Sequence, residues 1–86
     1  MEWHSFIHYL KVYIIWNMSQ VCRYNFAKNV KRLRESKHLK REELSLVLGF
    51  DNSYISKLEK QKVNIPIDKI EQIANYFNVE AFTMLQ

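Results

Sequence analysis

Five of the six residues from Asn52 to Lys57 carry a polar head: Asn52, Ser53, Tyr54, Ser56 and Lys57. A carboxamide and a serine hydroxyl each donate and accept, and an ammonium is a compact charge with three donors. Groups this short or planar suit hydrogen bonding to base edges, with Lys57 one turn on, in reach of a phosphate. Other chemistry is thinly represented. His4 and His8 stand four apart, a spacing that on a helix can begin a metal site. No glutamate follows the first of them and no third ligand stands near, so a surface or interface pair is the better reading. Cys22 has no neighbouring histidine with a supporting acid, as a nucleophile needs. There is no glycine-rich phosphate loop and no pair of catalytic carboxylates. The sequence points to no enzyme, no metal and no cofactor.

The frame holding these residues is small. The chain has 86 residues, one Gly, one Pro and one Cys. Tight turns need glycine and proline, so an all-β fold is disfavoured. A lone cysteine excludes an internal disulfide and fits a reducing cytoplasm. The apolar-biased stretch from Phe6 to Trp16 is too short to span a bilayer and holds Lys11 in its middle. It also lacks the basic start and small-residue cleavage site of a signal peptide. Charge is unevenly placed. Residues 1–22 are neutral, residues 23–62 carry eleven Lys or Arg against five acids, and residues 63–86 carry a net charge of −2. A basic centre of this kind suits a polyanion partner.

The apolar spacing predicts five helices. Phe26, Val30 and Leu33 mark the first, over Phe26–Ser36. Leu44, Val47 and Leu48 mark a second, over Lys40–Leu48, with Glu42 and Glu43 in its first turn and Gly49 at its end. Asp51 is the expected cap of a third, Asn52–Lys60, with Tyr54, Ile55 and Leu58 inward. Pro66, Asp68 and Glu71 open a fourth, which buries Ile67, Ile70, Ile73, Ala74 and Phe77 and stops at Asn78. A short fifth covers Glu80–Leu85.

Residues 40–59 therefore read as helix, glycine-containing turn, helix, the spacing of a helix-turn-helix. In such a unit the first helix braces the sugar-phosphate backbone and the second offers its leading side chains to the major groove. Here those are Asn52, Ser53 and Tyr54. At these residues the chain resembles the Cro and phage-repressor (XRE) family, through NVKRLRESKHLKREELSLVLGFDNSYISKLEK and IDKIEQIANYFNV, about residues 29–79. Asp51–Ser56 and Asn64-Ile65 also resemble restriction–modification controller proteins, small homodimers that regulate their own operon. The resemblance implies an all-α, compact five-helix, lambda-repressor-like DNA-binding bundle. It implies base or nearby phosphate contacts at Asn52, Ser53 and Tyr54, with Asn52 able to pair bidentately with adenine. It places Ser56 and Lys57 on the groove side, and Arg41, Lys62 and Asn64 at phosphates. It makes Arg34 and Glu59 an architectural ion pair.

Three positions depart from the family pattern: Lys40 replaces the usual Thr or Ser cap, Ser45 the usual Ala, and Gln61 the usual Gly. The expected division is an N-terminal packing or dimerisation arm over residues 1–25 and a DNA-binding domain over residues 26–86. The arm is rich in aromatic and β-branched residues, and its periodicity fits a helix or a strand. It is expected to pack on its own domain or a partner subunit near Leu46 and Val47, where the family usually shows polar residues. Met18 is an alternative start. The expected activity is sequence-specific binding of duplex DNA as a repressor or autoregulator. A homodimer on a pseudo-palindromic operator is expected, in contact through Tyr76, Phe82, Met84 and Leu85. No membrane and no small-molecule effector is implied. The competing reading is a protein-interaction or antitoxin-like module that holds its partner through the aromatic N-terminus.

Overall fold

The computed structural model describes residues 20–86; the arm before Gln20, including the His4/His8 pair and Met18, lies outside the described residues. Four α-helices follow in order: α1 (Gln20–Ser36), α2 (Arg41–Leu48), α3 (Tyr54–Glu59) and α4 (Ile67–Tyr76). The expected fifth helix is a 3-10 turn, Ala81–Leu85. No strand occurs among the described residues, and no helix there is long and apolar enough to cross a membrane.

Helix α1 is already formed at Gln20, six residues before the expected Phe26, because nothing from Gln20 to Asn25 breaks a helix. The expected division between residues 25 and 26 thus falls inside it. Phe26, Ala27 and Val30 enter the core, whereas Leu33 is only half-buried. Two asparagines one turn apart on α1 hold the chain's C-terminal end. Asn25 Nδ2 donates to the Leu85 carbonyl at 3.2 Å, and Asn29 Nδ2 to the Met84 carbonyl at 2.9 Å and that of Gln86 at 3.3 Å. These bonds satisfy carbonyls that a short 3-10 turn leaves without partners. Met84 and Leu85 are consequently buried against α1 in the chain's own core. They are not free for a dimer contact, because the apolar surface that suggested it is already used within the monomer.

The core centres on Phe26, Val30, Leu44, Ile55, Leu58, Ile70 and Ile73, each 1% exposed or less. Burying one such side chain contributes about 1.5–3 kcal/mol. Helix α2 turns Leu44, Ser45 and Leu48 inward, while Val47 and Leu46 face solvent, 57% and 78% exposed. Val47 shares the helical spacing of Leu44 and Leu48 but stays outside with Leu46, while the 44/45/48 face packs on α3 and α4. Helix α4 follows its expected stripe, with Ile67 only half-buried.

All four helices end on a left-handed residue: His38 (φ 57°), Gly49 (φ 76°), Gln61 (φ 59°) and Asn78 (φ 57°). After each, the next amide reaches back to a carbonyl five residues earlier, from Leu39 to Arg34, Phe50 to Ser45, Lys62 to Lys57 and Val79 to Ala74. This is the closing pattern in which glycine is favoured. Gln61 adopts the family glycine's conformation in spite of its Cβ. Lys40 offers no acceptor to α2, but its own amide donates to Glu43 Oε1 at 2.8 Å, so one half of a capping box survives.

Candidate nucleic-acid interface

The polar cluster is presented by the turn between α2 and α3 and by the outer side of α3. Gly49 ends α2 and turns the chain; the Tyr54 amide then donates to the Asp51 carbonyl at 2.9 Å, and α3 starts at Tyr54. The expected cap, Asp51, is displaced by Ser53, whose side chain makes no cap bond. That bond comes from the other helix. Ser45, fully buried on α2, accepts the Ile55 amide through Oγ at 3.2 Å. What looked like a departure from a small alanine is thus a link across the turn, filling the role of an N-cap.

Ile55 and Leu58 anchor α3 in the core. At about 100° per residue, Ser53, Ser56, Lys57 and Lys60 fall on the side away from them. Asn52, Ser53, Lys57 and Lys60 are exposed and Ser56 is half-buried. Lys62 and Asn64 are exposed in the loop that follows. Lys60 was not singled out from sequence, although its three-residue spacing from Lys57 marks the same face.

Two expected contact residues also make contacts within the chain. The Tyr54 hydroxyl is buried, with no hydrogen-bond partner among the described residues. Its ring packs edge-on against Phe50, centroids 5.0 Å apart, under Lys69 Nζ at 4.0 Å. Tyr54 therefore braces the turn instead of facing outward, and burial pushes its phenol above the ordinary 10.0. Tyr54→Phe should leave stability unchanged or raise it by up to about 1 kcal/mol, since the hydroxyl loses water without gaining a partner. The unfolded phenol ionises first, so the stability tied to the neutral form is present below pH 10 and lost as pH rises through the folded value. Urea melts above pH 10 should show the wild type losing more than the Phe variant.

Arg41 is the second. Its Nε donates to Glu59 Oε1 at 3.1 Å while the side chain stays 42% exposed, so the charge joins an ion-pair network and still reaches the surface. The expected Arg34–Glu59 pair is present: Nε to Oε2 at 2.7 Å and Nη2 to Oε1 at 3.1 Å, with Nη1 donating to the Leu39 carbonyl at 2.8 Å. Donating to the Glu59 carboxylate raises the Arg34 pKa above its ordinary value, against the opposing effect of burial. Of the residues expected at a dimer contact, Phe82 is 52% exposed and Tyr76 is half-buried, edge-on to Phe77 with Lys37 Nζ 4.7 Å above its ring. No group of three or more His, Cys, Asp or Glu is placed to hold a metal among the described residues.

Residues 30–82, from the middle of α1 into the closing turn, match the family model for helix-turn-helix proteins. Over 59 residues the chain is 34% identical to a hypothetical transcription factor of Neisseria meningitidis serogroup B, an alignment covering 69% of this chain. It spans 56% of that relative's length. A crystal structure of a hypothetical transcription factor from Neisseria matches with a TM-score of 0.70 and 33% identity, over 74% of each chain. A glycine-ended α2, a core-anchored α3 and a match running through both place this chain in the XRE-type helix-turn-helix family.

Proposed function

We propose that this chain binds duplex DNA with sequence preference and acts as a transcriptional regulator. The carrying observation is the exposure of Asn52 and Ser53 directly ahead of a helix whose opposite side is locked into the core by Ile55 and Leu58. A helix so held presents its leading turn to a major groove at a fixed angle. Asn52 and Ser53 read base edges, with Ser56 beside them. Lys57, Lys60, Lys62 and Asn64 meet phosphates, which supply affinity without sequence information. The family and the transcription-factor description of its relatives support the reading.

The regulator acts as a homodimer on a pseudo-palindromic operator, because one module buries only about 600–1,000 Å² on DNA. Half-site centres lie about 34 Å apart, or a multiple of that. Phe82, 52% exposed, is the retained dimer contact, and repression or autoregulation is the role the family resemblance favours. Selection of bound duplexes from a random pool tests this. Enrichment of an inverted repeat, with dimers sedimenting on it, is expected. A pool that stays random at low salt would sink the DNA reading, and bound monomers alone would sink the dimer.

A further inference from the structure

A notch of about 220 Å³ opens between α1 and the end of α3, lined by Tyr24, Ala27, Lys28, Lys31, Glu59 and Gln61. Lys28 and Lys31 are exposed, and no ion pair holds either among the described residues. They sit one turn apart on α1, their Cβ atoms about 5–6 Å from each other, so both ammoniums flank one opening. The carboxylate in the wall offers them little. The Glu59 side chain is 5% exposed and shared between Arg34 and Arg41, two cations on one anion. The lining and its ion-pair partners therefore carry a net positive charge, and the position suits an anion. Its chain neighbours point to which anion. Gln61 turns left-handed at the notch. It lies between Lys60 and Lys62, both exposed, which the proposed function puts at phosphates.

We infer that the notch is a further phosphate site, in which Lys28 and Lys31 continue the backbone contacts of the α3–α4 loop onto α1. The inference rests on the DNA reading and adds to it a contact surface on a helix outside the helix-turn-helix. The lysines contribute salt-dependent affinity and no base preference.

The test uses the full chain and a mixed-sequence duplex, with anisotropy titrations across a salt series. Lys28→Gln/Lys31→Gln keeps most of each side-chain stem. Each phosphate contact contributes about 0.9 to the slope of log affinity against log salt. The double variant should therefore lower the slope by nearly two. Between about 50 and 200 mM salt its affinity should fall roughly tenfold less than the wild type's. Its preference for a selected duplex over a mixed one should not change. Asn75→Asp/Asn78→Asp on and just after α4 makes the same change in net charge and should leave the slope near the wild-type value. An unchanged slope in the lysine variant, or an equal drop in the α4 control, overturns the inference while the DNA reading stands. A wild type with no salt-dependent duplex binding sinks both.

Discussion

Glu59→Ala lowers the unfolding free energy by about 3–5 kcal/mol in urea melts, the usual cost of leaving one partner of a buried ion pair alone. The carboxylate takes two bonds from Arg34 and one from Arg41, and the Arg34 and Glu59 side chains are 9% and 5% exposed. Without it, the Arg34 guanidinium keeps only the Leu39 carbonyl. It cannot escape by losing its proton, since an arginine stays charged throughout the accessible pH range. A small domain has about 5–15 kcal/mol in all, so the variant stands near its unfolding threshold. Glu59 closes α3, Arg34 lies on α1 and Arg41 opens α2, so the loss also releases the angle of α3. Arg34→Met/Glu59→Leu should regain most of the stability, because removing both charges leaves no buried ion. A single-variant loss below about 1 kcal/mol would mean that water reaches the pair and that it behaves as a surface bridge.

The parts legible in the sequence are those governed by local periodicity. The stripe Ile70, Ile73, Ala74 and Phe77 is spaced for one helix face and buries as one. Gly49 and Asn78 mark helix ends because few residues accept a left-handed backbone. His38 and Gln61 do the same without announcing it; both are exposed, and each is followed by an amide that closes back on the helix, Leu39 to Arg34 and Lys62 to Lys57. Contacts between elements were harder to read. Nothing in the spacing of Asn29 says that its amide will meet the Met84 carbonyl 55 residues later. Once that contact is made, Met84 and Leu85 belong to the core instead of a surface. Tyr54 shows the same limit within the site. Its spacing with Ile55 and Leu58 points it inward and its place in the row of polar residues points it at bases; Phe50 and Lys69 enclose its ring, and Lys69 comes from α4, which no local pattern links to the turn. The exposure of Asn52 and Ser53 was legible because the turn that carries them is set by Gly49 and the core anchors on either side.

Asn52→Ala should cost about 1–3 kcal/mol on the selected duplex and much less on one altered at a single base pair. The physical reason is the amide's paired donor and acceptor, which match adenine's N6 and N7 in the major groove. An alanine offers neither, so the wild type's preference at that position collapses while its phosphate contacts persist. Stability should stay within about 0.5 kcal/mol of wild type, because Asn52 is exposed and no described residue bonds its side chain. Lys57→Ala is the contrasting case. It weakens every duplex alike and lowers the salt slope by about one, the mark of a lost phosphate contact. Tyr54→Phe should retain the wild-type preference, since its hydroxyl is buried. Binding of the two exposed-residue variants to a panel of single-base-pair operator changes separates the roles. If Asn52→Ala lost affinity equally across the panel, this side chain would be a backbone contact, and base reading would pass to Ser53 and Ser56.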